Sequence, residues 1–260
     1  MKLFGRYAEL NTGGMTLTSE DLDIEFTVPF DSDTEPNESE IKIYNLTDAT
    51  INRFKKKQKL VLNAGYKGDI GVILSGYISK TKTDRQGVDK VTTIFVLDSQ
   101  PLNTQKTLNK SYKKNIKASQ IIKDLLALLK VDATVKLVKD KTYAKGYAID
   151  GEILPIVSSL AKDCGSTFFM SKGKAYIKPI HSEEASKFTL NEASGLIGSP
   201  ASFEDESISG YTVVSLLQYR LSTANAITLE SLSVKGKFYI YAGKHRWSGT
   251  EFVTEIDLIY

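Results

Sequence analysis

The chain has 260 residues, 41% of them hydrophobic and 25% charged, with a formal net charge of +3. That length accommodates two or three domains with sizeable cores, and the composition is that of an ordinary globular fold. Lys predominates over Arg and is interspersed with acidic residues, which excludes the concentrated basic face of a dedicated nucleic-acid binder, so no specific nucleic-acid partner is expected. The single cysteine, Cys164, excludes an intrachain disulfide framework and points to folding in a reducing compartment. Residues 1–14 lack the apolar run of a signal peptide. No segment approaches membrane-spanning length, so no membrane anchor is expected.

In chain order, residues 4–10 read as a strand that turns at Asn11-Thr12-Gly13-Gly14. Residues 15–29 return, with Leu22, Ile24, Phe26 and Val28 on one face and Pro29 at the end or at an edge. Residues 31–37 (DSDTEPN) are an acidic, turn-rich loop. The stretch 39–78 carries the most information. In residues 40–44, Ile41 and Ile43 alternate with Lys42 and Tyr44, the period of a half-buried strand. Asn45-Leu46 leave that strand, and Thr47 stands where an N-cap hydroxyl belongs, with Asp48 in the first turn. Ile51 and Phe54 recur at helical spacing, and Lys55, Lys56 and Lys57 are placed at the helix C-terminus. Residues 59–64 alternate again. Gly65-Tyr66-Lys67-Gly68-Asp69 is a turn of residues that tolerate positive φ. Residues 70–78 form a long strand interrupted by Gly71 and Gly76. A polar turn is expected at 81–87 and a last strand at 88–97. The first hundred residues are thus five or six close-spaced strands and one short helix, a pattern that favours an antiparallel meander closing into a small barrel.

Character changes at Ser99-Gln100-Pro101. Residues 119–130 present Ile121, Ile122, Leu125, Leu126, Leu128 and Leu129 as a broad apolar helical face. Residues 131–138 and 143–149 are extended. A second helix covers about 153–163, with Pro155 in its first turn and Gly165 as its left-handed cap, and a hairpin follows at 167–178. Residues 188–260 are strand-rich again, with 246–250 as the loop of a closing hairpin. The fold class is therefore α+β and mainly β: two small β-barrel domains flanking an α/β insertion. The expected domains are 1–100, 101–185 and 186–260.

A catalytic constellation would need converging groups. Asp163-Cys164-Gly165-Ser166 is superficially like the Asp-Cys-Ser-Gly nucleophile motif of cell-wall cysteine peptidases, but Gly and Ser are exchanged. Cys164 also falls at a helix C-terminus, where the macrodipole raises a thiol pKa. A buried structural cysteine is the plainer reading. Cys164, His181 and His245 lack the spacing of a zinc site. Asp31, Asp33 and Glu35 alternate as in a calcium loop, without its central Gly or late bidentate Glu. Gly65-Tyr66-Lys67-Gly68 departs from the phosphate-loop pattern, and no helix follows it. Thirteen Tyr and eleven Phe suit cross-strand packing and exposed interfaces. Trp247 in a loop gives weak support for a glycan-binding platform. No cofactor, metal or catalytic residue is expected, and a scaffold or interaction protein remains.

The order of several short motifs resembles one family. Residues 21–28 (DLDIEFTV), Pro36-Asn37, residues 41–46 (IKIYNL), residues 60–66 (LVLNAGY) and Gly76-Tyr77-Ile78 resemble the N-terminal part of bacteriophage tail baseplate hub proteins of the T4-like, Mu-like and PBSX-type prophage kind. Downstream, the 119–130 helix, the 151–179 helix and hairpin ending in I-K-P, residues 195–200 (GLIGSP), residues 210–217 (GYTVVSLL) and the final hairpin with His245 follow the same pattern. The resemblance implies a non-enzymatic structural subunit: a homotrimer whose two tube-like barrels per chain adapt a six-fold tail tube to a three-fold spike. Its implied partners are the tail tube protein, the tape-measure protein, a spike and other baseplate proteins, in a virion tail assembled in the bacterial host cytoplasm. Tyr44, Asn45, Leu46, Gly65, Tyr66, Gly76, Gly198, Pro200 and His245 are the motif residues expected at structural or interface positions. The alternatives are a distal-tail or tail-tube protein with a related barrel, and a cell-wall cysteine peptidase using Cys164.

Overall fold

The computed structural model describes residues 3–33, 35–98, 107–181, 185–205 and 208–260. The change of character expected at Ser99-Gln100-Pro101 lies outside the described residues. Among the described residues the chain is mainly β, with twenty strands, three α-helices and one 3-10 turn.

Thirteen strands share one sheet. Its path begins at an edge, Met15–Thr18, and continues through Arg6–Thr12, Lys59–Tyr66, Asp69–Gln86, Asp89–Leu97, Glu38–Tyr44 and Ile24–Phe30. It then passes into Lys235–Ser248, Glu251–Ile259, Ile208–Leu216 and a second edge, Leu196–Asp205. Ala185–Leu190 and Ala226–Glu230 branch from Lys235–Ser248. The crossing between the N-terminal and C-terminal β regions is the pairing of Ile24–Phe30 with Lys235–Ser248, with Phe26 opposite Trp247. One apolar row runs along this crossing: Phe252 opposite Trp247, Trp247 opposite Phe26, Phe26 opposite Ile41 and Ile41 opposite Ile94. Such cross-strand pairs are the unit of sheet stabilisation.

Period-two alternation orders the cores. Ala8 and Leu10 face Ala64 and Leu62 across one ladder, and all four are buried. Three buried clusters result, one in each β region and one in the middle. The β clusters exchange residues: Phe30 belongs to the C-terminal core, and Leu217 and Phe252 to the N-terminal one. In the middle, α2 (Ala118–Leu129) buries Ile121, Ile122, Leu125, Leu126 and Leu129 against α3 (Ile153–Asp163) and the hairpin Thr167–Ser171/Lys174–Lys178. Each of these large aliphatic side chains is worth roughly 1.5–3 kcal/mol of burial.

Several local expectations change. Residues 15–29 are two strands, because Ser19 turns the chain: its hydroxyl accepts the Ala8 N–H at 2.9 Å. Pro29 lies inside Ile24–Phe30. Pairing with Glu38–Tyr44 stops at Thr27, so at Pro29 the strand is an edge on that side, where a missing N–H is tolerated. The first helix, α1 (Asp48–Ile51), has the Thr47 cap, with the hydroxyl accepting the Thr50 N–H at 3.2 Å. It ends before Lys55, Lys56 and Lys57, so those cations do not sit on its dipole. Gly65 and Tyr66 belong to the strand Lys59–Tyr66, and only Lys67-Gly68 turn. The polar run at 81–86 is strand, paired from Thr81–Ile94 to Gln86–Asp89, and the turn falls at Gly87-Val88. α2 begins at Ala118, and Asp140 caps it from outside by accepting the Ser119 N–H and hydroxyl at 3.0 and 2.8 Å. The extended region at 131–138 contains only Ala133–Val135, and Arg246, Trp247 and Ser248 lie in a strand. α3 matches its predicted span, and Gly165 follows it at φ +69 with Ser166 N–H bonded to the Ala161 carbonyl.

Candidate functional site

The three cores meet at one polar junction. It is built by the turn of the middle hairpin (Lys172-Gly173), the loop after Ile208–Leu216, the end of Asp89–Leu97, and His245. Lys172 takes the left-handed conformation at φ +50, and its half-buried ammonium donates to the Tyr219 carbonyl at 3.4 Å. Burial lowers its pKa. Gly173 N–H donates to the Asp98 carbonyl at 2.8 Å, and a Cβ on Gly173 would stand 3.2 Å from the Ser75 carbonyl oxygen. The hairpin tip therefore seats between the two β regions.

Asp98 clips the acidic loop to this junction. Its N–H donates to the Asn37 carbonyl and its carboxylate accepts the Asn37 N–H, both at 3.1 Å. Burial pushes its carboxyl up to about 7, against the Asn37 hydrogen bond, with Asp31 and Asp33 adding to the rise. His245 is fully buried. Gln218 N–H donates to Thr254 Oγ1, which is hydrogen-bonded to His245 Nδ1, both at 2.9 Å. Burial, then the nearby Lys172 charge, holds its pKa down at about 3. A hydrogen bond between its ring and the Leu221 backbone works the other way, favouring the protonated form.

Beside the junction, Tyr219 and Arg220 reach the N-terminal β region. Arg220 Nη2 and Nη1 donate to the two oxygens of Asp69 at 2.6 and 3.2 Å, and the Tyr219 hydroxyl donates to Asp69 Oδ1 at 3.0 Å. The guanidinium stands 4.2 Å from the Tyr219 ring centre. These donors hold the Asp69 pKa below its ordinary value.

The motif residues fall in several places and do not converge. The half-buried Tyr44 hydroxyl donates to Glu25 at 3.3 Å. Asn45, at φ +57, donates to Asp89 and accepts the Lys90 N–H at 3.0 Å. Leu46 is in the N-terminal core. Gly65 and Gly76 are required by close approach, since a Cβ would lie 2.4 Å from the Asp69 oxygen and 2.1 Å from the Leu97 oxygen, respectively. Tyr66 is buried edge-on to Phe252 at 5.4 Å. Gly198 (φ +68) and Pro200 form the register break of the edge strand between Ile197 and Ala201. Only His245 belongs to the junction. Asp69, Asp98, Lys172, Tyr219 and Arg220 carried no sequence signal, because their partners are remote in sequence.

The residues weighed for chemistry are otherwise occupied. Cys164 is buried at the end of α3, and His181 packs edge-on to Tyr239 at 4.9 Å. Trp247 packs on Phe26 and Phe252 at 6.1 and 4.7 Å. Among the described residues no group of His, Cys, Asp and Glu is placed to hold a metal ion, and no helix is long and apolar enough to cross a membrane.

This arrangement, two β regions on one sheet with an α/β insertion wedged between them, is the fold of phage tail hub-like proteins. A tail protein from Neisseria meningitidis is similar at a TM-score of 0.69 and 9% identity, over 99% of this chain and 97% of that one. A 43 kDa tail protein of prophage MuSo2 from Shewanella oneidensis is similar at 0.73 and 8% identity, over 98% and 97%. An E. coli type VI secretion system component, itself described as similar to phage tail proteins, matches at 0.70 and 14% identity, over 96% of this chain and 76% of its own. No family model and no curated protein matches the sequence. The resemblance carried by the short motifs thus holds at the level of the fold.

Proposed function

We propose that the chain is a non-enzymatic structural subunit of a phage or prophage tail hub. Three copies form a ring that adapts a six-fold tail tube to a three-fold spike. The observation that carries this reading is the likeness to two phage tail proteins over 97% or more of both chains. A single sheet that links two β regions supports it, because three such chains present six β units around an axis. On this reading residues 1–100 and 186–260 are the two barrel domains and 101–185 the α/β domain between them. The motif residues from Tyr44 to His245 hold these domains in shape or border their neighbours. The partners are the tube, tape-measure, spike and other baseplate proteins, and the place of action is the virion tail, assembled in the host cytoplasm.

The test is sedimentation and negative-stain electron microscopy of the chain, alone and co-expressed with a phage tail tube protein and a tail spike protein. A three-chain ring is expected. A six-fold ring would favour the distal-tail or tube reading, and a single-chain species in the presence of those partners would overturn the proposal.

A further inference from the structure

Charge is divided unevenly along the chain. Residues 107–178 contain fourteen Lys, no Arg and six acidic residues. That is a net +8 within a chain whose whole charge is +3, so the rest of the sequence is acidic. The excess gathers where residues 110–117 face residues 139–147, two segments that carry seven Lys and one acidic residue, Asp140. Tyr112 pairs there with Tyr147, Ile116 with Tyr143 and Lys117 with Thr142. The turn Lys113-Lys114-Asn115 lies against Gly146, where a Cβ would stand 2.5 Å from the Tyr112 carbonyl oxygen. Lys113, Lys114, Lys117 and Lys145 are exposed, and no carboxylate among the described residues pairs with any of them.

The same place shows how a carboxylate is held. Asp124 is gripped by the Lys110 ammonium and by the Tyr112 hydroxyl, which donates at 2.5 Å. Asp163 is gripped in the same way, by Lys141 at 2.8 Å and the Tyr143 hydroxyl at 2.7 Å. In both cases lysine and tyrosine stand two residues apart and share one carboxylate oxygen. Each ammonium also lies over the ring of its own tyrosine, at 4.8 and 5.3 Å. These donors, the lysine first, hold both carboxylates below their ordinary pKa. Lys145 and Tyr147 repeat the spacing a third time, with the Tyr147 ring 4.6 Å from that of Tyr143. No carboxylate among the described residues bonds to either one, and Asp163 acts on Tyr147 through its charge.

We propose that this surface docks a carboxylate-rich segment of a partner protein, with Lys145 and Tyr147 taking one carboxylate between them and Lys113, Lys114 and Lys117 taking its neighbours. Charge complementarity selects an acidic partner. Three features favour carboxylates over nucleic-acid phosphates. The Arg fork that suits phosphate is absent from residues 107–178. The Tyr143 and Tyr147 rings pack on each other, whereas base stacking needs an open ring face. The same pairing of side chains already binds a carboxylate twice within this domain. The assignment goes beyond the tail-hub reading and is independent of how many copies form a ring.

The experiment follows binding of a fluorescent oligoglutamate peptide to the full chain by anisotropy at low salt, beside a single-stranded oligonucleotide of equal net charge. The peptide is expected to bind the more tightly. Lys113→Gln/Lys114→Gln/Lys145→Gln should weaken peptide binding about tenfold, the effect of three exposed charge contacts. Lys55→Gln/Lys56→Gln/Lys57→Gln removes the same charge from an exposed lysine run of the N-terminal β region and should leave binding within about twofold of wild type. Tyr147→Phe keeps both charge and ring, and should weaken binding about threefold through the lost hydroxyl. Tighter binding of the oligonucleotide would make this a nucleic-acid surface and overturn the proposal. Equal losses in the two triple variants would trace binding to net charge and overturn the site. Unchanged binding by Tyr147→Phe would refute the lysine–tyrosine grip, and a wild type that ignores the peptide overturns the whole assignment.

Discussion

Asp69 and Arg220, 151 residues apart, form a two-point ion pair that ties the N-terminal β region to the C-terminal one. The geometry is the fork-on-carboxylate arrangement that makes such pairs stronger than single contacts. Arg220 is 41% exposed at its side chain and Asp69 18%, so water screens part of the attraction. A double-mutant cycle with Asp69→Asn and Arg220→Met is expected to give a coupling of about 1 kcal/mol in urea denaturation. The depressed Asp69 pKa means this contribution is present above the ordinary carboxylate range and fades as pH falls through the lowered value. A coupling indistinguishable from zero would show that the tie is not energetic.

Two glycines on the same strand should respond differently to a methyl group. A Cβ at Gly71 would meet the Tyr219 ring at 2.2 Å, and one at Gly76 would meet the Leu97 carbonyl at 2.1 Å. The ring can swing away, whereas the carbonyl belongs to a neighbouring strand of the ladder. Gly71→Ala should therefore cost about 1–3 kcal/mol, in the usual range of overpacking, and Gly76→Ala more. Adding Tyr219→Ala should restore much of the Gly71→Ala loss, so equal losses in all three variants would contradict the packing described here.

Asp98 and His245 should oppose each other in the acid range. The Asp98 carboxyl rises from 3.8 to about 7 on folding, so the folded state holds its proton more tightly and this residue favours folding as pH falls. His245 drops from 6.5 to about 3, so the unfolded state takes up the proton first and this residue disfavours folding as pH falls below 6.5. Between 3.8 and 6.5 the two slopes cancel. Asp98→Asn should expose the histidine slope, losing about 1.4 kcal/mol per pH unit on acidification, and His245→Asn should show the reverse. Urea midpoints measured across that window decide it, and parallel profiles for the two variants would refute the assignment.

Cys164 is 1% exposed at the C-terminal end of α3. A thiol reagent at neutral pH should label it only after the chain opens, with a rate that follows denaturant. Rapid labelling of the native chain would restore the peptidase reading.

Much of this architecture is local information. The alternation of Ile41 and Ile43, the Thr47 cap, the apolar face of α2, and Pro155 and Gly165 at the two ends of α3 each depend on neighbours within a few residues. That is why those elements were legible in the sequence. Boundaries failed where a remote group intervened. Asp140 starts α2 a residue early, and Asp89–Leu97 keeps the polar run at 81–86 in a strand that composition alone assigns to a turn.

What the sequence by itself determined is the order of elements, their buried faces and the absence of a recognisable catalytic motif. Only the tertiary structure decided that both β regions share one sheet, that Lys172 plugs the space between them, and that Asp69 finds Arg220. The reason is physical. Periodicity records which face of an element leaves water, but an ion pair or a sheet edge between residues 150 positions apart leaves no local pattern. The two partners of such a contact meet only once the chain has folded.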